Sequence, residues 1–402
     1  MSTDGLIPEI LPDGNLGRLK WDYERERTGF SDLLDFGTAD MDYRAPGPIL
    51  DAIRDIAGRG HLGYPEIRNS YLSAIHDWLL QTASWDVDAR TCISHNVGIY
   101  MSAWCLIQLL TNPGDRIVIL TPVHFCYKRM IRLNGRFPIE CPLLSDRGHY
   151  RIDFRSLESC FASGCRTLWL CNPHNPVGRV WTEQELRQIA DICVRYHVMI
   201  LSDDAYCGLT FPGHRYTPVA SLSETVSRQT VTLYSTSKCF NTTGIRHSFI
   251  VTENPEIMKK YRDLLVSMDL EYGVNLFGLA AVEAAFRSCG PWLDRLNREL
   301  FEKHRLISGY AADRIPSISV TPADGLFFAW IDMRGLDINA KQLAYRLEQE
   351  EHMITENGSD GGKGGDGFIR MNLAASDRHL REGLERLNHF CARHQRRKEA
   401  SS

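Results

Sequence analysis

The chain has 402 residues, which is long enough for two domains or for one large α/β domain with an appendage. Its net charge of −4 provides no general attraction to nucleic acids or to anionic membranes. The twelve cysteines are scattered without a C-x-x-C pair, so the sequence predicts neither a disulfide framework nor a zinc site and favours a reducing compartment.

The N-terminus has no basic patch followed by an apolar stretch, and no window reaches the ~18 apolar residues of a membrane span. We therefore expect a cytoplasmic protein that works without a membrane, a nucleic acid or a metal.

Residues 1–45 are irregular and rich in Gly, Pro and Asp, which predicts an N-terminal arm. Helical spacing then runs from Gly47 to Gly58 and again from Ser70 to Leu80. Between residue 91 and about 250, short apolar runs alternate with amphipathic segments, which is typical of a sheet interleaved with helices. The predicted strands are Arg116–Thr121, Thr167–Cys171, Val198–Ser202, Val231–Tyr234 and Ser248–Val251.

The last third of the sequence predicts a smaller α+β domain. A long helix over Trp292–Ala312 would join it to the large domain. We expect an N-terminal arm at 1–45 that forms part of the small domain, a large domain at 46–288 and a small domain at 289–402. The predicted strands of the small domain are Ser317–Val320, Leu326–Ile331 and Phe368–Asn372, and its predicted helices are Ala340–Gln349 and Asp377–His394. The glycine-rich segment 358–367 lacks a Gly-Lys-Ser/Thr motif and predicts a mobile loop near the site.

A reactive lysine follows one of the predicted strands. The run Val231-Thr232-Leu233 leads into Tyr234-Ser235-Thr236-Ser237-Lys238, and Arg246 comes eight residues later. Hydroxyls and a guanidinium are the donors that a phosphate ester needs, and an amine beside a phosphate suggests a Schiff base to pyridoxal phosphate. A surface lysine after an ordinary strand would give the same local pattern.

Two further polar motifs also come at strand ends, where the functional loops of a parallel sheet lie. Asn172-Pro173-His174-Asn175-Pro176 follows Cys171, and Asp203-Asp204-Ala205-Tyr206 follows Ser202. Taken alone, the motif at Asn172–Pro176 would indicate an ordinary turn, and Asp203 would indicate a helix cap.

These motifs in this order resemble the fold-type-I pyridoxal-phosphate enzymes of the class I/II aminotransferase superfamily. The resemblance implies an α/β fold: a three-layer αβα large domain with a mixed, mostly parallel sheet, and a smaller α+β domain. It also implies a homodimer whose active sites are shared between the subunits.

The resemblance assigns cofactor contacts residue by residue. Lys238 would form the Schiff base, Asp203 would pair with the pyridine nitrogen, and Asn175 and Tyr206 would hydrogen-bond the ring's phenolic oxygen. The phosphate would be bound by Ser235, Ser237, Arg246 and the backbone at Gly98 and Ile99, where the helix Tyr100–Leu110 begins. Tyr64 would reach the phosphate and the catalytic site of the neighbouring subunit.

The substrate side carries three further assignments. Arg370, on the strand Phe368–Asn372, matches the arginine that clamps the substrate α-carboxylate, although an arginine pointing outward from the strand remains the alternative. Asn175 and Asp40 would also line the substrate. His124 lies where the family places a ring-stacking aromatic residue, and a plain loop histidine is the alternative.

Longer stretches resemble one branch of the superfamily, the cystathionine β-lyase group typified by MalY and PatB. That resemblance rests on Lys20-Trp21-Asp22-Tyr23, Ala39-Asp40-Met41-Asp42-Tyr43, Gly290-Pro291-Trp292 and Gly367-Phe368-Ile369-Arg370-Met371-Asn372. The chain departs from the group at Tyr206, usually His, at Arg246, often absent, and at His124, usually Tyr. Thr355-Glu356-Asn357-Gly358 stands where the group has a proline-glycine loop, on the substrate side.

Two main reactions on an amino-acid substrate follow from the resemblance, and another pyridoxal reaction such as β- or γ-replacement is a further alternative. A carbon–sulfur β-lyase would convert an S-substituted L-cysteine to a thiol, pyruvate and ammonia through an aminoacrylate. An aminotransferase would instead exchange the amino group between an L-amino acid and a 2-keto acid. Both reactions use the residues named above, so the sequence separates them poorly.

Overall fold

The computed structural model describes residues 8–146, 148–272, 275–336 and 338–399. The α-helices have the bounds Glu24–Thr28, Gly47–Arg59, Asn69–Ala83, Ala89–Cys92, Ile99–Leu110, Cys126–Leu133, Phe154–Ala162, Glu183–Arg195, Glu224–Arg228, Pro255–Ser267, Leu276–Ser288, Gly290–Arg314, Leu343–Glu351 and Asp377–Glu399. Shorter turns are the π-helix Leu19–Tyr23 and the 3₁₀ helices Val219–Leu222, Thr243–Ile245, Ala340–Gln342 and Gly358–Gly361.

A seven-stranded sheet forms the centre of the described fold. Its spatial order is Ile93–Asn96, Ser248–Val251, Thr230–Tyr234, Met199–Asp203, Thr167–Cys171, Arg116–Thr121 and Phe137–Pro142. Only Ser248–Val251 runs against its neighbours, and the other pairings are parallel. The sheet is therefore mixed and mostly parallel, as predicted.

Both faces of this sheet are covered by helices. Within the strand Thr167–Cys171, Leu168 and Leu170 pack into one apolar cluster, whereas Trp169 and Cys171 pack into another on the opposite face. Side chains alternate between the faces of a strand, so burial of both sets requires a layer of helices on each side. The large unit is thus a three-layer αβα arrangement, which confirms the predicted fold class.

Five of the seven strands were predicted, three of them with the observed bounds. Ile93–Asn96 and Phe137–Pro142 were missed, and their sequences explain why. The first is Ile-Ser-His-Asn, with a single apolar residue, and the second is an edge strand with a proline at its second and sixth positions. Proline is tolerated at a sheet edge, where its missing N–H is not needed by a neighbour.

Helix ends follow local signals closely. Thr182 accepts a hydrogen bond from the Glu185 amide while the Glu185 side chain accepts one from the Thr182 amide, which is the capping box predicted for the helix Glu183–Arg195. The predicted linker helix is observed as Gly290–Arg314, extended at both ends. None of the described helices combines the length and the apolar character needed to cross a bilayer.

A smaller antiparallel sheet has the order Ser319–Val320, Phe328–Asp332, Phe368–Asn372 and Glu356–Asn357. Elsewhere, Leu34–Asp35 pairs in parallel with Met353–Ile354, and Leu144–Asp146 pairs with His149–Arg151. The N-terminal arm therefore packs on the C-terminal third of the chain. One apolar cluster joins both regions to the helix Gly290–Arg314, and the domain boundaries at 45/46 and 288/289 stay a prediction.

Candidate functional site

Three neighbouring parallel strands deliver polar residues to one edge of the large sheet. Thr167–Cys171 leads to Asn175, Met199–Asp203 ends in a carboxylate, and Thr230–Tyr234 leads to Lys238. A cavity of about 530 Å³ lies at this edge. Its walls include Ala39, Gly98, Ile99, Tyr100, Trp104, His124, Tyr127, Met130, Asn175, Asp203, Tyr206, Ser235, Ser237, Lys238, Arg246, His247 and Met268.

Lys238 supplies an amine of unusually low basicity. Its Nζ atom donates a hydrogen bond to the Ala39 carbonyl oxygen at 2.7 Å. Burial and the charge of Arg370 lower the pKa of Lys238 to about 8, although Asp40 and Asp203 act in the opposite direction. A useful fraction of the amine is therefore neutral near physiological pH, as a nucleophile or proton acceptor needs.

Asp203 places a buried carboxylate in the same cavity, with 7% of the residue exposed. Burial raises the pKa of Asp203 to about 6, while a hydrogen bond from the Tyr127 hydroxyl acts against burial. That bond measures 2.9 Å to Oδ2, and the Ala205 amide donates to Oδ1 at 3.2 Å. The carboxylate is thus fixed in direction and suited to a cationic partner.

Asn175 connects the cavity to Arg370. Its Nδ2 atom lies 3.5 Å from the Tyr206 hydroxyl oxygen, and its Oδ1 atom accepts a hydrogen bond from Nη1 of Arg370 at 3.1 Å. Because the Asn175 side chain is used at both ends, its orientation is fixed. It can therefore present the amide and the neighbouring phenol to one ligand atom.

Donors for an anion collect at another part of the wall. Gly98, whose φ of +112° suits glycine, precedes the helix Ile99–Leu110, and the first turn of a helix favours negative charge. The Ser235 hydroxyl donates to the His247 carbonyl oxygen at 2.7 Å and also lies 2.7 Å from the Ser237 hydroxyl. These two hydroxyls can rotate from their present acceptors to a bound anion, and with Arg246 they then provide the donors that a phosphate needs.

Arg370 is 1% exposed and held on all sides. Its Nη2 atom donates to the Gly37 carbonyl oxygen at 3.0 Å and pairs with Glu356, and its guanidinium carbon lies 4.0 Å from the centroid of the Phe328 ring. Among the described residues, its Nε atom has no hydrogen-bond partner. The alternative of an outward-facing strand arginine is excluded by this burial.

His124 lines the cavity beside Tyr100, whose hydroxyl lies 3.2 Å from Nδ1. Burial, with the charges of Arg370, Lys238 and Arg129, holds the pKa of His124 well below its usual value, so the ring is neutral. A neutral imidazole can stack on a planar ligand, and its role in doing so stays a prediction.

Tyr64 and Asp40 lie apart from the cavity wall. Tyr64 is 86% exposed and meets Tyr272 edge-on, with ring centroids 5.8 Å apart. The Asp40 carboxylate pairs with Arg18 at 3.3 Å, while its carbonyl oxygen accepts from Lys20 and Asn372. In the single chain, Asp40 therefore fixes the backbone next to Ala39, and its substrate contact stays a prediction.

Sequence reasoning missed several residues of the site. Tyr127 and Met130 lie on the helix Cys126–Leu133, and Trp104 lies on Ile99–Leu110. The one available signal was position, because both helices begin just after predicted cavity residues. No sequence signal could have identified the Ala39 carbonyl, because every residue has a backbone carbonyl whatever its side chain.

The residues present fit pyridoxal phosphate. The cavity combines a low-pKa amine, a buried carboxylate for the pyridine nitrogen, an amide and a phenol for the ring oxygen, and a cluster of phosphate donors. The Asp203 carboxylate gives the strongest support for this fit. Burying a carboxylate without a cation beside it costs free energy, and the protonated ring nitrogen of the cofactor would supply that cation.

Comparisons with known proteins agree with this arrangement. The family described as aminotransferase class I and II matches residues 31–387. Cystathionine beta-lyase PatB of Bacillus subtilis is 32% identical over 370 residues, covering 92% of this chain and 95% of PatB.

Two solved structures are also similar over most of their length. Cystalysin from Treponema denticola, which contains pyridoxal 5'-phosphate, has a TM-score of 0.90 and 30% identity, covering 95% of this chain and 98% of its own. A PLP-bound putative aminotransferase from Clostridium difficile gives the same TM-score and identity, with 94% and 98% coverage.

Proposed function

Because the chain belongs to the class I and II aminotransferase family, in its MalY- and PatB-like group, we propose that it is a pyridoxal-phosphate-dependent carbon–sulfur β-lyase. The substrate is an S-substituted L-cysteine. With one water molecule, it yields a thiol, pyruvate and ammonium. The observation that carries the proposal is the single cavity in which Lys238 lies together with Asp203 and the phosphate donors.

The cofactor, when bound, accepts the electron pair that the substrate Cα releases as it loses its proton. Asp203 would pair with the protonated ring nitrogen through its negative charge. Ser235, Ser237, Arg246 and the start of the helix Ile99–Leu110 would bind the phosphate.

Two side chains act on the substrate itself. Arg370 binds the α-carboxylate in a forked contact and so fixes which Cα bond breaks. Lys238, with its pKa near 8, takes the Cα proton at neutral pH. The thiolate then leaves from Cβ, carrying the C–S electron pair, and is protonated as the thiol.

A second function is favoured by one observation. Tyr206 lies 3.5 Å from the Asn175 amide, and a tyrosine at this position with a retained Arg246 is typical of ordinary aminotransferases. In that reaction Lys238 would return the proton to the cofactor, and a 2-keto acid would be required as acceptor.

The deciding experiment incubates purified holoenzyme with S-substituted cysteines in the absence of any keto acid. We expect thiol and pyruvate in equal amounts, the thiol identified by mass. If turnover begins only after a 2-keto acid is added, the lyase proposal fails and the aminotransferase replaces it.

We also propose that the enzyme is a homodimer with shared sites and that Tyr64 serves the neighbouring subunit. Its 86% exposure in the single chain supports this. Lys238→Ala and Tyr64→Phe subunits, each impaired alone, are expected to regain activity when mixed, because one hybrid site then carries both residues. No gain on mixing, despite exchange of subunits, would contradict the shared site.

The twelve unpaired cysteines support a reducing, cytoplasmic location.

A further inference from the structure

The side chain of His124 is held by a hydrogen bond to a second aromatic residue. The Tyr100 hydroxyl lies 3.2 Å from Nδ1 of His124, and the two ring planes meet at 23° with centroids 6.4 Å apart. The acceptor lone pair of an imidazole nitrogen lies in the ring plane, so this arrangement suits an end-on hydrogen bond. Both side chains line the cavity that contains Lys238. The Tyr100–His124 contact is therefore part of the cavity wall.

The backbone that carries His124 is also fixed. Its amide donates to the Asn175 carbonyl oxygen at 3.2 Å, and the amide of Val123 donates to the Gly361 carbonyl oxygen at 3.0 Å. With the main chain held at two successive residues, the remaining freedom of His124 is rotation about its side-chain bonds. The hydrogen bond to Tyr100 restricts that rotation, so it sets the direction in which the imidazole points.

The same hydrogen bond decides which nitrogen of His124 carries the proton. The ring is neutral, because burial and the positive charges around it hold its pKa well below the usual value. A phenol is protonated at neutral pH, and an imidazole nitrogen accepts far better than the thiol of Cys126, the other group beside the Tyr100 hydroxyl. The hydroxyl therefore donates to Nδ1, which leaves the proton of His124 on Nε2. In the described part of the chain Nε2 has no hydrogen-bond partner, so this N–H is left for a ligand in the cavity.

The proposed lyase reaction requires such a donor in this cavity. As the Cβ–S bond breaks, its electron pair passes to sulfur, and negative charge develops there. A donor that is already in place stabilises this charge without reorganisation, and a neutral imidazole is suited to the task. The two cationic side chains of the site have other tasks, since Lys238 takes the Cα proton and Arg370 binds the carboxylate.

We propose that His124 donates its Nε2–H to the sulfur of the leaving group and that Tyr100 is the positioning residue that fixes this tautomer and the direction of the ring. Both roles rest on the proposed lyase function. The proton stays on Nε2 throughout, and the thiolate takes its proton from water after it has left. Stacking on a planar ligand needs only the flat ring of His124, whereas this role needs its N–H.

The first test varies the leaving group. S-ethyl-L-cysteine releases a strongly basic alkanethiolate, whereas S-(4-nitrophenyl)-L-cysteine releases a thiolate that its own nitro group stabilises. Pyruvate release from both is measured for the unaltered holoenzyme, Tyr100→Phe, His124→Phe and the double variant. The phenyl ring in His124→Phe can still stack but has no N–H. Tyr345→Phe, at an exposed tyrosine of the helix Leu343–Glu351, is the control.

We expect His124→Phe to lower kcat/KM for S-ethyl-L-cysteine by about 100-fold, the loss typical of removing one donor to a developing negative charge. Tyr100→Phe should lower it by about 10-fold, the value of one hydrogen bond. Both variants should use the nitrophenyl substrate almost normally. The double variant should be no worse than His124→Phe, because Tyr100 acts through His124.

Three kinetic results would overturn these roles. Equal losses with the two substrates would show that neither residue acts on the leaving sulfur. Full activity of His124→Phe would mean that the ring only stacks. A further 10-fold loss in the double variant, about 1.4 kcal/mol, would mean that Tyr100 acts independently of His124.

A spectroscopic measurement tests the positioning role without relying on turnover. In ¹⁵N-histidine NMR spectra of the holoenzyme, the signals of His124 are identified by their absence from His124→Phe. We expect a proton on Nε2 and none on Nδ1 in the unaltered protein, and a mixture of both tautomers in Tyr100→Phe. A proton on Nδ1 in the unaltered protein would overturn the assignment of His124 alone. Absence of pyruvate from both cysteine derivatives would instead contradict the lyase function, whatever the tautomer.

Discussion

The hydroxyl of Tyr127 donates a 2.9 Å hydrogen bond to Oδ2 of Asp203. The tyrosine is buried and its ring stacks on Trp169 with centroids 4.1 Å apart, so the hydroxyl is held in place by packing. The bond lowers the pKa of Asp203, whereas burial raises it to about 6. Tyr127 therefore helps to keep this carboxylate ionised near neutral pH.

Replacing Tyr127 with Phe should weaken cofactor binding in a pH-dependent way. Without the donor, the pKa of Asp203 rises above about 6, so the carboxylate is protonated over more of the range from pH 6 to 7. We expect the dissociation constant of pyridoxal phosphate to rise by about 10-fold at pH 6.5 and by much less at pH 8.5. Absorbance titrations of apoprotein would measure both.

The matched control is Tyr196→Phe, which removes a hydroxyl bonded to Glu158 away from the cavity. It should bind the cofactor normally. A Tyr127→Phe variant whose affinity falls equally at both pH values would show that the hydroxyl acts on packing rather than on the ionisation of Asp203.

Covalent capture of the cofactor should follow the ionisation of Lys238. Only the neutral amine attacks the aldehyde, and the pKa of Lys238 lies near 8 rather than at its ordinary value. We expect the rate of borohydride-trappable incorporation into apoprotein to rise with pH and to level off above pH 8 to 9. Lys238→Ala should give no adduct, and a midpoint near pH 10 would contradict the lowered pKa.

How far the sequence predicted this site depends on where each residue lies. Asp203 ends an apolar strand, and Lys238 and Asn175 lie in the loops that follow two others. Their convergence therefore follows from the rule that parallel strands present their carboxyl ends together. Tyr127 reaches Asp203 from a helix, and Glu356 meets Arg370 through strand register. Such contacts depend on packing between distant segments, which local pattern does not encode.

The strands of the fold show the same difference between features that local sequence encodes and features that depend on distant contacts. Strands with continuous apolar runs, such as Arg116–Thr121, were predicted with their observed bounds, whereas Ile93–Asn96 was missed because three of its four residues are polar. Its burial comes from pairing with Ser248–Val251, a contact between segments some 150 residues apart that no local window contains.

Arg370→Lys should impair substrate use while leaving the cofactor bound. The ammonium of lysine cannot form the forked contact with a carboxylate, and it leaves the Asn175 oxygen without its 3.1 Å donor. We expect kcat/KM for an S-substituted cysteine to fall by about 100-fold or more. Arg334→Lys, on an exposed turn, is the control. Loss of the cofactor absorbance instead would mean that Arg370 serves the cofactor.

The N-terminal arm should stabilise the site through Asp42. This buried carboxylate pairs with Arg18 at 2.8 Å and with Lys20 at 3.2 Å, and it accepts a 2.8 Å hydrogen bond from the Trp21 indole. Asp42→Asn leaves a buried lysine without its counter-charge, which commonly costs about 3–5 kcal/mol.

We therefore expect a clear fall in the thermal unfolding midpoint of Asp42→Asn. Adding Lys20→Met should recover part of the loss, because the stranded charge is then gone. If the effects of Asp42→Asn and Lys20→Met on stability simply add, the ion pair between these two residues contributes no interaction energy, and the arm is held by its apolar contacts alone.

Asp204 should make stability fall as the pH rises. Its carboxyl is fully buried with Ser202 and with the Tyr216 hydroxyl, and burial together with Asp203 raises its pKa to about 8. Below pH ~4 the group is protonated in both folded and unfolded chains. Between pH ~4 and about 8 the unfolded chain releases the proton and the folded chain keeps it, so this contribution to folding is progressively lost.

Asp204→Asn keeps the size of the side chain and removes the proton equilibrium. We expect its urea midpoint to exceed that of the unaltered protein by more at pH 8 than at pH 5, because only the unaltered protein pays for burying a titrating acid. Asp191→Asn, on the exposed face of the helix Glu183–Arg195, should show no such trend. A constant difference between the two pH values would show that Asp204 is already ionised in the folded protein at pH 5, as it is in the unfolded chain, and would contradict the raised pKa.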